Sequence, residues 1–446
     1  MLWKSIAEDV TRKMFSEAVE RDSQNRKNDV VQRLSYYTDQ QEDYIIEALK
    51  KHHADYTAFT PVFFNVVRKI VNSLSMVYLQ DCQRLILGTE QDKVIFNEIV
   101  ESSNLNLKMK TASRYCQLLK TIILRPVWRQ GKLDLDIITG DILDVSCGDS
   151  PEILESVLVT HYPINGQFKE IEYSLWSATN YTRLDYKGNP IHSEPNPYEV
   201  VPFVPVWASY PTSGSFWVSG GDDLISVQST INQKLTDLML VLEYQGFGVP
   251  VQKGMPSGGS RTQIGPNVAI EIENPEGSFT FEKTNAPIQG ILNSIDFLVK
   301  NLAVSNGLSV ESISTKPSQN SGVARLAGNR ELQELRKDQI SLFGRYERQL
   351  FNMFRIVWNA HNPDRKISDN AVIKLDFFDP TPVMSPDKQA ELWEKELEMG
   401  TISRTDILML KNPDLSKEDA QRKLEEIKME NSTFNLSPSQ GVKLEE

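Results

Sequence analysis

The sequence predicts an α+β fold, mainly helical, with an antiparallel β region in its first half and a small β element set between two long helices. Three observations carry this reading. Apolar residues recur at three- and four-residue steps before about residue 121 and again after Ser219. Between residues 122 and 210 they fall into short β-type runs separated by turn signals. The chain has 446 residues, 40% hydrophobic and 24% charged, enough for several folded regions with a substantial core.

The first helical region contains "TPVFFNVVRKIVNSLSMVYL", where Thr60 suits a cap and Pro61 the first helical position. Phe63, Val66, Val67, Ile70, Leu74 and Val77 make one buried face, and Arg68 and Lys69 read as its solvated side. The β runs are "IILRPVW", "LDLDIITGDILDVS", "ESVLVTHY", "KEIEYSLWS", "NYTRLDY" and "VVPFVPVWASY". Asn165-Gly166 and Lys187-Gly188-Asn189-Pro190 mark turns between them. This antiparallel region is expected to pack on the N-terminal helices.

From Asp222 the pattern returns to helix, with Leu224, Val227, Ile231, Leu235, Leu238 and Leu242 on one stripe. Asp222 and Asp223 sit where negative charge favours a helix start, and Gly246 and Gly248 end it. A compact β insert follows, with "GVPVQKG", "NVAIEIE", the turn "NPEG" and "SFTFEK". A second amphipathic helix carries Ile288, Ile291, Leu292, Ile295, Leu298 and Leu302. A polar loop, "STKPSQNSGV", then leads into a long helix reaching Asn362. In and just after that helix Arg325, Arg330, Arg336, Lys337, Arg345, Arg348, Arg355, Arg365 and Lys366 outnumber the acids. Gly328 and Gly344 inside it predict a kink or close packing. A strand, "AVIKLDFFD", precedes terminal helices with capping-box starts at Ser403 and Ser416.

Several function classes are excluded. No apolar run approaches the ~20 residues that cross a bilayer, and the N-terminal stretch lacks the apolar centre of a signal peptide, so an intracellular protein is expected. Cys82, Cys116 and Cys147 are widely spaced, which argues against disulfides and structural zinc. The adjacent His52 and His53 would point apart on a helix and read as a polar helix end. The net charge of -12 argues against tight phosphate-backbone binding. The P-loop, nucleophile-elbow and zincin motifs are absent, and no cofactor or metal is expected. Asp134 and Asp136, alternate on a strand, are the best candidates for a metal-dependent nuclease. A solvated strand face is the blander reading of the same pair.

The order of these parts resembles the portal proteins of tailed double-stranded DNA bacteriophages, of the siphophage type. Four stretches carry the likeness in sequence order: "NVVRKIVNSLSMVYL", "SGGDDLISVQSTINQKLTDLMLVLEYQGFGVPV", "SNGLSVESISTKPSQNSGVARLAGNRELQELRKDQ" and "LEMGTISRTDILMLKNPDLSKEDAQRKLEEIKME". The likeness spans about Thr60 to Glu430 and is faint from Leu133 to Tyr198.

The resemblance implies a non-enzymatic ring, typically of twelve subunits, at one capsid vertex. Double-stranded DNA would pass through it during packaging and ejection. It implies a wing over 1–221, stem helices over 222–245 and 287–305, and a clip over 246–286. The tunnel loop, long wing helix and strand would occupy 306–386, the crown 387–430 and a disordered tail 431–446. Leu224, Val227, Ile231, Leu235, Leu238, Leu242, Ile291, Ile295 and Leu298 are then expected to pack stem against stem. Gln252, Lys253, Arg261, Glu271 and Glu273 would present the docking surface of the clip.

Thr315, Lys316, Ser318, Gln319, Asn320, Ser321, Gly322 and Val323 would line the channel. Their hydroxyls and amides make only weak, interchangeable hydrogen bonds, Gly322 adds flexibility and Lys316 is the one charge. Val323 is either an apolar contact or a packing residue. Implied partners are the chain itself, DNA, the terminase large subunit, a head-completion or adaptor protein, and the major capsid and scaffolding proteins, with no membrane. The implied location is the virion, after assembly in the host cytoplasm. An intracellular helical scaffold unrelated to DNA is the remaining alternative.

Overall fold

The computed structural model describes residues 13–18, 20–52, 60–163, 167–212, 214–247, 249–253, 278–282, 287–310, 330–378, 386–412 and 415–434. The chain divides into two compact units, residues 1–378 and 379–446.

The first unit opens with α1 (Arg21–Tyr37), α2 (Glu42–His52) and α3 (Val66–Leu74). The last starts five residues later than the Pro61 signal suggests. Asn65 is its cap, with the Asn65 side-chain oxygen accepting from the Arg68 amide at 2.8 Å. The next two amides, Val66 and Val67, both donate to the side chain of Gln228, at 2.9 and 3.3 Å. The helix begins where its orphan amides find acceptors. Val66, Val67, Ile70 and Leu74 are buried, as the periodicity predicts, Val71 is buried as well, and Phe63 is only half-buried.

Strand β1 (Gln83–Leu87) leads to α4 (Glu90–Ser103), α5 (Leu105–Leu119) and the expected β region. Strands β2 (Thr121–Arg129), β3 (Lys132–Ile138) and β9 (Val204–Trp207) form one antiparallel sheet, ordered β3-β2-β9. Strands β4 (Leu143–Cys147), β5 (Leu154–His161), β6 (Glu172–Ser177), β7 (Asn180–Leu184) and β8 (Pro190–Pro195) form a five-stranded antiparallel meander. Gly188 turns β7 into β8 with φ +81°, and a Cβ there would come within 2.8 Å of the Phe15 ring. Only glycine fits this position. The three-stranded sheet packs on α4 and α5, as expected.

Helix α6 (Asp222–Phe247) and helix α7 (Ile288–Ser305) flank an antiparallel ribbon of β10 (Val249–Lys253) and β11 (Ser278–Glu282). Helix α8 (Arg330–His361) packs on β2, β3 and β9, and β12 (Val372–Asp376) pairs with the early strand β1. Gly344 is buried in α8 without crowding, since a Cβ there would meet only ordinary contacts with Arg348 and Phe377. One continuous core joins α1, α3 to α8 and the three-stranded sheet.

The second unit contains α9 (Pro386–Glu398), α10 (Arg404–Lys411) and α11 (Lys417–Phe434). Both expected caps are present: the Asp406 amide donates to Ser403 at 3.1 Å and the Asp419 amide to Ser416 at 3.2 Å. Helix α11 runs to Phe434, so the first four residues of the expected disordered tail are helical.

Candidate functional site

A polar network ties α6 to α3 and to the segments that precede it. On α6, Gln228 lies on the apolar stripe between Leu224 and Ile231 and is fully buried. Its amide nitrogen donates to the Phe64 carbonyl at 2.9 Å and to Asn232 at 2.7 Å, while its oxygen caps α3. Asn232 donates onward to Gln41 at 2.8 Å, and Thr236 accepts from the Val62 amide at 3.4 Å. These buried polar groups satisfy one another, which fixes the register of α6 against α3. At the start of α6, Arg33 pairs with Asp222 and donates to the Gly220 carbonyl at 2.7 Å. Sequence reading overlooks Gln228, Asn232 and Thr236; polar residues at apolar positions of α6 are the signal that could have exposed them.

The residues expected to pack stem against stem divide into two groups. Leu224, Ile231 and Leu238 on α6 and Ile295 on α7 are buried within the protomer. Val227, Leu235, Ile291 and Leu298 are half-buried, and Leu242 is 43% exposed. Other apolar side chains lie further out: Met239 on α6 and Leu292, Phe297 and Val304 on α7. Phe297 and Val304, two turns apart, are 63% and 56% exposed.

In the ribbon Lys253 is exposed and opposite Ser278, and Gln252 is opposite Phe279. Arg261, Glu271 and Glu273 lie outside the described residues. So does the whole expected loop: Thr315, Lys316, Ser318, Gln319, Asn320, Ser321, Gly322 and Val323.

The nuclease alternative fails on the geometry of its acids. Asp134 pairs with Lys108 and accepts from the Leu135 amide at 2.8 Å. Asp136 takes a two-pronged contact from Arg129, at 2.7 and 2.6 Å. Although burial acts in the opposite direction, bonding to Lys108 and Leu135 lowers the Asp134 pKa. Both carboxylates are thus engaged by cations of the chain itself, and among the described residues no group of acids, histidines and cysteines could hold a metal ion. The cysteines offer no ready nucleophile either: burial pushes the Cys82 and Cys116 thiols up to about 12 and Cys147 to about 11.

The family model described as "Phage portal protein, SPP1 Gp6-like" matches residues 14–433. The chain belongs to this family. It is therefore a phage portal protein, a structural and not a catalytic component, and the unrelated-scaffold reading falls with the nuclease.

Among solved structures, the portal chain is similar to one from the neck of an empty GTA particle computed with C6 symmetry. Identity is 11% and the TM-score 0.44, covering 78% of this chain and 90% of that one. A chain from the virion of the native gene transfer agent particle matches at 10% identity and TM-score 0.41, covering 82% and 98%. One from the neck of the native GTA particle computed with C12 symmetry matches at 10% and 0.42, covering 77% and 89%. No curated protein matches the sequence.

Proposed function

We propose that the portal chain closes into a ring, with twelve copies as the expected number, at one vertex of the capsid, and that double-stranded DNA moves through its centre during packaging and ejection. The family match over residues 14–433 carries this reading. The exposed Phe297 and Val304 on α7 support it, because side chains of this kind are covered when copies stand side by side. In this scheme residues 1–221 make the first part of the wing, α6 and α7 the stem, and residues 246–286 the clip. Residues 306–386 supply the tunnel loop, long wing helix and strand, and residues 387–430 the crown.

The clip, with Gln252, Lys253, Arg261, Glu271 and Glu273, docks the terminase large subunit during filling and a head-completion or adaptor protein afterwards. Major capsid and scaffolding proteins surround the wing, and assembly takes place in the host cytoplasm. Residues Thr315 to Val323 line the channel, with Lys316 making brief phosphate contacts and the net charge of -12 keeping the duplex from sticking. Negative-stain imaging and native mass spectrometry of the purified chain test the reading. Closed rings with a central hole are expected; monomers alone at micromolar concentration, with and without capsid partners, refute ring closure. Deleting Pro317 to Ser321 is expected to leave rings intact and to impair packaging.

A further inference from the structure

Arg125, on β2 where the two sheets meet, is a guanidinium without a hydrogen-bonding acceptor among the described residues. Its Nε is enclosed and unpaired, and so is the indole Nε1 of Trp176 on β6. Trp176 is 6% exposed and lies beneath the guanidinium, with the Arg125 carbon 4.6 Å from its ring centre; Phe203 approaches at 5.4 Å. Tyr181 stands 4.3 Å from Trp176 between ring centres, and Tyr198 lies 6.3 Å away in a stacked arrangement.

The nearby acids are already occupied. Asp136, directly opposite Arg125 in the sheet, has its two oxygens held by Arg129. Glu172 is paired with Arg183. Burial lowers the Arg125 pKa, and the charge of Asp136 only partly offsets that effect. Since Arg125 is not completely buried and only Nε is both enclosed and unpaired, its terminal nitrogens reach the surface.

A planar guanidinium held by aromatic rings, with its outer nitrogens open, suits one ligand chemistry. Rings fix the plane of the fork and supply a dry wall, while the paired N–H groups match two oxygens of a carboxylate or phosphate. A buried, unpaired cation costs stability, and an arriving anion recovers much of that cost. We propose that Arg125, framed by Trp176, Tyr181, Tyr198 and Phe203, binds an oxyanion at the junction of the two sheets. The oxyanion is a free phosphate or the carboxylate of a partner chain's side chain. The site belongs to a single protomer and stands or falls independently of ring closure.

Thermal unfolding of the full chain in phosphate, acetate or chloride at matched ionic strength tests it, with Arg125→Met alongside. For a millimolar site, about 50 mM of the right anion raises the wild-type Tm by roughly 2 °C more than it raises that of Arg125→Met. A phosphate response identifies the free ion, and a response to acetate alone identifies a carboxylate side chain. Should Arg125→Met not fold, Arg125→Lys, which keeps the charge and loses the planar two-pronged fork, is expected to lose about half of the shift. Equal responses to all three salts in wild type and variant mean that the donors meet water only, and the proposal is overturned.

Discussion

Arg84 and Glu347 carry opposite charges in nearly dry surroundings, at 3% and 2% side-chain exposure. Arg84 grips both carboxylate oxygens, at 2.9 and 2.5 Å, and the Tyr78 hydroxyl donates to the same carboxylate at 2.7 Å. This cluster joins β1 to α8. Burial opposes the charge on Arg84, but the pairing with Glu347 prevails and raises its pKa. Glu347→Gln keeps the shape and leaves the buried Arg84 charge without a counter-charge, so it should cost about 3–5 kcal/mol, read by urea unfolding. A loss within 1 kcal/mol would mean that water reaches Arg84. Nothing in the sequence marks this pair. Glu347 reads as one more charge on a basic helix, and its partner lies far earlier in the chain.

Asp92 makes part of the stability depend on pH. It closes the capping box of α4 and also accepts from the Ser368 amide at 2.8 Å. Burial alone would raise its pKa, yet the bonds from Ser368 and Thr89 lower it from 3.8 to about 2. A depressed carboxylate stabilises the fold above its unfolded pKa and loses that contribution as pH falls through the folded one. The loss should therefore fall between about pH 4 and pH 2. Asp92→Asn should remove roughly 2 kcal/mol at pH 7 and flatten that part of the acid unfolding curve. An unchanged acid limb in the variant would show that other carboxylates govern it.

At the scale of elements, the α6–α3 lock decides where a helix begins. Gln228→Leu fits the apolar stripe of α6 but strands the Val66 and Val67 amides and the Phe64 carbonyl. Each unsatisfied buried group costs about 1–3 kcal/mol, so a loss of at least 2 kcal/mol is expected, with faster amide exchange in the first turn of α3. Exchange at wild-type rates would show that Asn65 alone holds that turn.

The extents of α6 and α7 follow from their apolar stripes, with Asp222 and Asp223 marking the start of α6, and the start of α10 follows from Ser403. Thr60-Pro61 misleads because the acceptors that fix α3 come from Gln228, which no local pattern reveals. Strand β1 is missed because its partner β12 comes nearly at the other end of the unit. Strand β8 is exposed along its whole length, so it has no alternation to read. Pro190 and Pro195 bound it, as an edge strand permits.

At the scale of the whole molecule, the question is which apolar side chains a neighbouring copy covers. A stripe in the sequence cannot separate core from interface, because both need the same residue types at the same spacing. Leu224, Ile231, Leu238 and Ile295 are covered by their own chain and present little to a neighbour. The contact proposed for the ring therefore shifts to Phe297 and Val304, with Leu242, Met239 and Leu292 beside them.

Phe297→Asp with Val304→Asp separates the two roles. Both changes fall on exposed positions, so protomer stability should stay within about 0.5 kcal/mol per substitution. Facing carboxylates from adjacent copies would meet without counter-ions in a drying interface, and assembly should weaken at least tenfold by native mass spectrometry. Ile231→Ala is the opposite case: it opens a cavity inside the protomer and should cost about 2–5 kcal/mol whether or not rings form. If the double aspartate variant still closes into rings at wild-type concentrations, the two exposed side chains lie outside the interface.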